Sequence, residues 1–214
     1  MEAKKISLTT FTMSTAAILF VETVFRLALV GTISSPLAAL GFVRCLEAVL
    51  LIVIAIKFEK KIDAIGLARS RLITGLIKGL IWSAGFGFVA AVFYFGLLFW
   101  SINALGFLRS PPPSSWQHIG VFLLVGGILG PITEEIFFRG IIYGFFRRWG
   151  IAAAIILSTA IFVFSHPIGG NPPVTQLVGG IVFAVAYEKG KSLMVPITIH
   201  CLGNLAIFSL TYMS

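Results

Sequence analysis

Residues 37–56 read LAALGFVRCLEAVLLIVIAI, and the charged stretch KFEKK follows at residues 57–61. Twenty predominantly apolar residues in an α-helix span about 30 Å, close to the thickness of the hydrocarbon core of a bilayer. A cluster of lysines directly after such a stretch is typical of a transmembrane helix that ends at the cytoplasmic interface. The stretch therefore predicts a membrane-spanning helix.

The composition of the whole chain agrees with this interpretation. Of the 214 residues, 58% are hydrophobic and 11% are charged, whereas about a quarter of the residues in a soluble domain are charged. Such a chain cannot cover itself with a water-solvated surface, which excludes a soluble enzyme, a disordered tail and a secreted disulfide scaffold. The net charge of +8 comes from bases in short loops, so it indicates membrane topology rather than nucleic-acid binding.

Charged segments and segments rich in Pro or Gly divide the chain into seven apolar regions. We expect an all-α polytopic transmembrane bundle of seven or eight membrane helices without a sheet, because a break at Gly130-Pro131 would divide the fourth region in two. The predicted regions are residues 11–31, 37–56, 72–100, 118–146, 151–165, 174–187 and 192–212.

The basic residues outside these regions predict the orientation of the chain. If the N-terminus is cytoplasmic and each region crosses once, eleven bases lie inside: two before the first region, five in 57–71, two at 147–148 and two at 189–191. One base, Arg109, lies outside. Because basic loops stay in the cytoplasm, this asymmetry predicts a multi-pass integral membrane protein with a cytoplasmic N-terminus. The short chain and short loops favour a prokaryotic cell membrane over the endoplasmic reticulum.

Four ionisable residues in the first two regions form two pairs. Glu22 and Arg26 are four residues apart, and Arg44 and Glu47 are three residues apart, so each pair shares one helix face and can neutralise itself. We interpret both pairs as structural ion pairs that hold helices together.

The sequence EEIFFR at residues 134–139 places two acids and one base in the middle of the fourth region. In an α-helix, Glu135 and Arg139 are about 40° apart around the axis, whereas Glu134 and Arg139 are about 140° apart. We therefore expect an ion pair between Glu135 and Arg139, with Glu134 left unpaired within its own helix. An ionisable residue in this position indicates a functional site whose other groups come from other helices.

Later regions contain side chains that can complete such a site. His166 ends the fifth region, and His200 lies in the seventh with Asn204 one turn later on the same face. A carboxylate, two imidazoles and a carboxamide are the groups needed to activate a water molecule and to stabilise an oxyanion. For His200 taken alone, the alternative is an ordinary interhelical hydrogen bond. The third histidine, His118, lies at a predicted membrane boundary.

The sequence lacks the signatures of several other membrane proteases. An aspartyl intramembrane protease needs two aspartates, whereas this chain has a single one, Asp63, in a charged loop. It contains neither the His-Glu-x-x-His motif of zinc proteases nor a Gly-x-Ser-Gly nucleophile. A catalytic pair of Cys201 and His200 is disfavoured, because adjacent residues on a helix point about 100° apart.

The chain resembles the CAAX prenyl endopeptidase and bacteriocin-processing family of membrane proteases, also called the Abi or CPBP family. The signatures of that family are Glu-Glu-x-x-x-Arg, Phe-x-x-x-His and His-x-x-x-Asn, and all three occur here in the family's order. They appear as Glu134-Glu135-x-x-x-Arg139, Phe162-x-x-x-His166 and His200-x-x-x-Asn204. The resemblance covers about residues 120–210. Within one integral membrane domain, we therefore expect residues 118–214 to be the catalytic helices and residues 1–117 to be helices without a motif.

The resemblance implies an all-helical membrane endopeptidase. Its expected partners are the lipid bilayer and a membrane-associated peptide or protein, for example one with a prenylated C-terminus or a leader peptide; no nucleic acid is expected. The resemblance implies that Glu134 and His166 activate the attacking water. It also implies that His200 and Asn204 stabilise the oxyanion.

The other motif residues have supporting roles in this resemblance. Glu135 and Arg139 would set the geometry of the site, which agrees with their shared helix face, and Phe162 belongs to the second signature. We favour a glutamate mechanism without a cofactor, because the signatures lack the His-x-x-x-His spacing of zinc proteases. Asn204 also suits an oxyanion donor better than a zinc ligand.

Three alternatives follow from the same residues. The first is a zinc-dependent membrane protease with Glu134, His166 and His200 as the ligands. The second is a non-catalytic immunity or accessory membrane protein that keeps the motifs. The third is a transporter in which Glu134 relays protons. A transporter of that kind is expected to show repeat symmetry between its halves, and the motif residues here lie in the second half alone.

Overall fold

A computed structural model describes residues 6–29, 35–101, 116–166 and 173–213. Within these ranges the chain is almost entirely helical and contains no strand. The predicted all-α architecture is therefore confirmed. Arg109 lies outside the described residues.

The described residues form seven helical regions, which we label α1 to α7 in chain order. Short 3₁₀ turns precede α3, at Ile62–Ile65 and Arg69–Arg71, and another follows α4 at Arg147–Trp149. The bounds of α1–α7 are within a few residues of the predicted regions. They are Leu8–Leu29, Pro36–Glu59, Leu72–Phe99, residues 116–146, Ile151–Phe164, Val174–Gly190 and Met194–Met213.

Several of these helices are long and apolar enough to cross a bilayer. Four candidate spans meet this criterion in the described residues, and two shorter apolar helices correspond to α5 and most of α7. Large apolar side chains are exposed on the outer faces of the first three helices; Phe88 and Phe99, for example, are 71% and 84% exposed. The protein is a helical membrane protein, and the number of crossings stays a prediction.

The fourth helix is continuous where the sequence suggested a break. Gly130–Glu135 is α-helical and lies between two π-helical stretches, Val125–Leu129 and Ile136–Tyr143. Pro131 has no N–H and its ring crowds the preceding turn of a helix. A wider π turn immediately before the proline relieves that crowding without ending the helix. Among the described residues, α4 is therefore one helix with two bulges, and it carries the EEIFFR segment.

Two glycines allow α3 to approach α7 closely. A Cβ atom added at Gly79 would lie 2.6 Å from Cβ of Thr198, and one added at Gly75 would collide with Ser192. Small residues spaced one turn apart commonly allow such backbone approach between membrane helices. The contact fixes the first half of α7, where His200 lies two residues after Thr198.

Both predicted charged pairs of α1 and α2 form, but Glu22 lies closer to a base in the neighbouring helix than to its predicted partner. Arg44 Nη1 and Glu47 Oε2 are 2.5 Å apart, as the sequence predicted. Glu22, however, lies closer to Arg44, at 2.7 Å, than to Arg26, at 3.7 Å. The dominant partner of Glu22 is thus in the neighbouring helix, because Arg26 is turned outward and is 81% exposed.

Candidate active site

The predicted ion pair between Glu135 and Arg139 forms in the core of the bundle. Arg139 Nη1 donates to Glu135 Oε1 at 2.9 Å, and both side chains are fully buried. Arg139 Nη2 donates to the carbonyl of Gly180 in α6 at 3.2 Å. The guanidinium also lies 4.5 Å from the ring centre of Phe162 and 5.1 Å from that of Phe183. A desolvated ion pair needs such additional contacts to offset its lost hydration.

Glu135 also holds His200 in place. His200 Nδ1 lies 2.7 Å from the same Oε1 atom that accepts from Arg139. An ionised carboxylate can only accept hydrogen bonds, so the proton of this bond is on Nδ1 of the imidazole. In the neutral ring, Nε2 then carries a lone pair and points away from Glu135. Glu135 therefore sets both the orientation and the tautomer of His200.

His166 is held in the same way by a backbone group. Its Nδ1 lies 2.7 Å from the carbonyl oxygen of Phe162, one helical turn earlier. A carbonyl oxygen also only accepts, so Nδ1 carries the proton and Nε2 is the acceptor in the neutral ring. The ring centres of Phe162 and His166 are 4.6 Å apart. The Phe-x-x-x-His spacing thus supplies both a backbone acceptor and an aromatic neighbour for the histidine.

Glu134 faces both histidines. Its Oε2 atom lies 3.8 Å from Nε2 of His166 and 3.9 Å from Nε2 of His200. These separations are too long for direct hydrogen bonds. A water molecule beside these atoms, rather than in line between them, can hydrogen-bond to the carboxylate and to an imidazole. The carboxylate is 24% exposed, so the space is reachable from outside the core. Three side chains from α4, the end of α5 and α7 thus meet, whereas His118 is exposed near the start of α4.

Asn204 lies on the same helix as His200 but contacts a different group. Its Nδ2 donates to the carbonyl of Gly126 at 2.9 Å, in the first π-helical stretch of α4. A carboxamide has two N–H donors, and this bond uses one of them. In the part of the chain that the structure describes, no hydrogen bond joins Asn204 to Glu134, His166 or His200. Its role as an oxyanion donor stays a prediction.

The sequence analysis missed one side of the site, which α6 supplies. Phe183 stacks on His200 with ring centres 4.5 Å apart and planes 22° apart. Gly180, one turn earlier, accepts from Arg139, and it packs against Thr159, which lies 2.8 Å from a Cβ added at that glycine. No sequence signal singles out Phe183, because the chain has 20 phenylalanines. The adjacent glycines at 179–180 were the available hint of a close helix contact.

Glu134, His166 and His200 are also candidate zinc ligands. Two imidazoles and a carboxylate are suitable donors, and the Nδ1 bonds of both histidines are of the kind that orients zinc-binding imidazoles. Tetrahedral zinc with bond lengths of about 2.0–2.1 Å would bring its donor atoms to about 3.3–3.5 Å from each other. As placed, no three His, Cys, Asp or Glu side chains in the described ranges are close enough to hold a metal ion. The donor chemistry suits zinc, and the Oε2–Nε2 separations of 3.8 and 3.9 Å are somewhat longer than that donor spacing.

Comparisons with known proteins agree on one family. Residues 116–206 match the family model described as type II CAAX prenyl endopeptidase Rce1-like. The chain is 30% identical over 172 residues to the "Putative membrane peptidase YdiL" of Bacillus subtilis, which covers 78% of this chain and 68% of that protein. It is 35% identical over 95 residues to the "Membrane-embedded CAAX protease MroQ" of Staphylococcus aureus, covering 41% of this chain and 38% of that protein. No solved structure matches significantly.

Proposed function

The chain belongs to the type II CAAX prenyl endopeptidase Rce1-like family of membrane peptidases, and we propose that it hydrolyses a peptide bond of a membrane-associated or lipidated peptide. The observation that carries this proposal is the position of Glu134 Oε2, within 4 Å of the Nε2 atoms of two histidines from other helices. A carboxylate and an imidazole that can both contact the same water molecule are suited to general-base catalysis.

In the proposed mechanism, Glu134 and His166 hold the attacking water between them. The carboxylate removes a proton as the water oxygen attacks the carbonyl carbon of the scissile bond. The proton then passes to the leaving amine when the tetrahedral intermediate collapses. The Nδ1 bond to the Phe162 carbonyl keeps Nε2 of His166 directed at the water.

The oxyanion of the intermediate faces α7 in this proposal. Asn204 can offer the N–H that its bond to Gly126 leaves available. His200 donates from Nε2 only when both of its nitrogens carry protons, and its Nδ1 is held by Glu135. Preorganised donors of this kind typically contribute a factor of about 10²–10³ each to the rate.

The experiment is cleavage by the purified protein in detergent or nanodiscs. A panel of synthetic peptides, including prenylated C-terminal peptides and leader peptides, is incubated with the protein and the products are identified by mass spectrometry. We expect at least one peptide to be cut at a single internal bond. The His166→Ala variant is the control for a contaminating protease, since its preparation should not cut. A protein that cleaves no membrane-associated peptide would support the non-catalytic alternative.

The zinc alternative has its own readout in the same assay. A metal ion would be held by Glu134, His166 and His200, and it would supply Lewis-acid activation of water. We expect a strong chelator to leave the rate unchanged. Loss of activity with the chelator and recovery with added zinc would instead identify the three side chains as metal ligands.

We also propose that the protein lies in a bacterial cell membrane with its N-terminus in the cytoplasm. The asymmetric distribution of bases supports the orientation, and both relatives described above come from bacteria.

A further inference from the structure

The two N-terminal helices contain a cluster of charges that the family motifs do not include. Arg44 Nη2 lies 2.7 Å from Glu22 Oε1, and Arg44 Nη1 lies 2.5 Å from Glu47 Oε2. We call Glu22, Arg44 and Glu47 the N-terminal charge network. The match to the family model begins at residue 116, so the network lies outside it. Glu47 is fully buried, and the other two side chains are largely buried.

The network is tied to the catalytic helix next to Glu134. Thr133 Oγ1 lies 2.8 Å from the backbone carbonyl of Arg44 and 2.9 Å from that of Leu129 in its own helix. The hydroxyl has one proton, so the two carbonyls share it. This link joins the residue before Glu134 to the backbone of α2 at Arg44, whose side chain is the centre of the network. A side-chain hydrogen bond to a helix backbone in the membrane interior is a specific contact between helices.

The packing of α2 on α4 continues on the same face of α2. A Cβ added at Gly41, one turn before Arg44, would lie 2.8 Å from Val125, where the first π-helical stretch of α4 begins. The π turns and Pro131 make the backbone of α4 irregular on both sides of Glu134. Because the regular hydrogen-bond ladder of α4 is disturbed there, contacts from α2 help to fix the backbone that carries Glu134.

Glu47 carries a buried charge that its ion pair satisfies only in part. Its Oε1 atom is buried with no hydrogen-bond partner among the described residues. A buried carboxylate with an unsatisfied oxygen destabilises a fold. Apolar residues of similar volume are often as stable as a buried ion network, or more stable. Stability alone therefore does not explain why the network is present.

We propose that the N-terminal charge network is a positioning device for Glu134, which holds the 133–134 turn of α4 in register with the two histidines. The expected effect on turnover rests on the proposed peptidase function. The expected effect on the position of Glu134 does not. Glu47 and Thr133 are then positioning residues rather than catalytic residues. In this proposal α2 contributes to turnover through its contacts with α4.

The kinetic test uses a pair of substitutions at Thr133. Thr133→Val keeps the shape of the side chain but removes the hydroxyl, so we expect kcat to fall by roughly tenfold or more with KM within about twofold, because misplacing a catalytic group by about 1 Å can lower the rate about a hundredfold. Thr133→Ser keeps the hydroxyl and should retain the wild-type kcat. Arg26→Gln is the matched control, since Arg26 borders the network but is exposed, and it should be unchanged. Equal kcat for the Val and Ser variants would overturn the proposal.

A second measurement does not need activity. The shift in Tm caused by Glu47→Gln is measured in the wild-type background and in the Glu134→Gln background. If the network acts on Glu134, the two shifts differ, because removing one of two interacting charges changes the effect of removing the other. Equal shifts would show that Glu47 and Glu134 are independent and would contradict the inference. If the wild type cleaves no peptide while the Tm shifts differ, the proposed function fails and the structural link stands.

Discussion

Glu135 links the first and third signatures, because one of its oxygen atoms accepts from both Arg139 and His200. Glu135→Gln keeps the shape but leaves a buried guanidinium without its charged partner. Removing one partner of a buried ion pair typically costs about 3–5 kcal/mol, so we expect a clear fall in Tm together with a loss of activity. Thermal unfolding in detergent measures the first effect.

The control for Glu135→Gln is the same substitution one residue earlier. Glu134 forms no ion pair shorter than 3.8 Å with its two histidines, so Glu134→Gln should change Tm much less than Glu135→Gln. If both variants unfold at the same temperature, the distinction between a supporting and a catalytic carboxylate is wrong.

Asn204 is proposed to donate a hydrogen bond to the oxyanion of the intermediate. We expect Asn204→Ala to lower kcat by roughly a hundredfold, as removal of an oxyanion donor does, with little change in KM. Ser209→Ala on the exposed part of the same helix is the matched control. A rate loss that appears mainly in KM would show that Asn204 binds substrate instead, or orients α4 through Gly126.

At this scale the sequence predicted pairs within one helix better than contacts between helices. The spacing of Glu135 and Arg139 was sufficient to predict their ion pair, because both lie on one helix. The Glu135 acceptor of His200 Nδ1 and the Gly126 partner of Asn204 depend on how helices cross, whereas the Phe162 acceptor of His166 lies one turn earlier in the same helix. Helical periodicity contains no information on those crossings, so it could not supply them.

Among the elements, α3 and α7 depend on a glycine contact that can be tested directly. Gly79→Val would place its side chain against Thr198, whose Cβ lies 2.6 Å from an added Cβ. Overpacking of this kind typically costs about 1–3 kcal/mol, and it would displace the turn that carries His200. We expect lower Tm and lower activity, measured by thermal unfolding and peptide cleavage.

A glycine farther along the same helix provides the comparison. No atom lies within 4 Å of a Cβ added at Gly85, so Gly85→Val should leave both Tm and activity nearly unchanged. Equal destabilisation by the two substitutions would show that α3 responds to valine itself and not to the loss of its contact with α7.

Helix boundaries were predictable because apolar length and charged ends determine them in a membrane. The continuity of α4 was not predictable from the sequence. A Gly-Pro pair commonly marks a turn, but in lipid the backbone must stay hydrogen-bonded, and two π-helical stretches achieve this around Pro131. Sequence rules for turns consider the proline alone. They do not include the free-energy cost of exposing unpaired backbone groups to lipid.

The distribution of basic residues predicts how the whole molecule is oriented in the bilayer. Single cysteines at Lys60 and Arg148, in a background with Cys45 and Cys201 replaced, should react with a membrane-impermeant reagent only when the cytoplasmic side is accessible. The reason is that eleven of the twelve bases outside the apolar regions fall on that side. Labelling of either position from outside intact cells would show that the topology is wrong.

If Glu134 is the general base of a membrane peptidase, as we propose, the Glu134→Gln variant should cleave peptide much more slowly than the wild type. The measurement compares kcat for the variant and the wild type at equal concentrations of folded protein, on a peptide that the wild type cleaves. Glutamine preserves size and polarity but cannot accept the proton, so we predict a fall of at least roughly a hundredfold with an intact fold. A variant that retains the wild-type rate would show that Glu134 is not the general base.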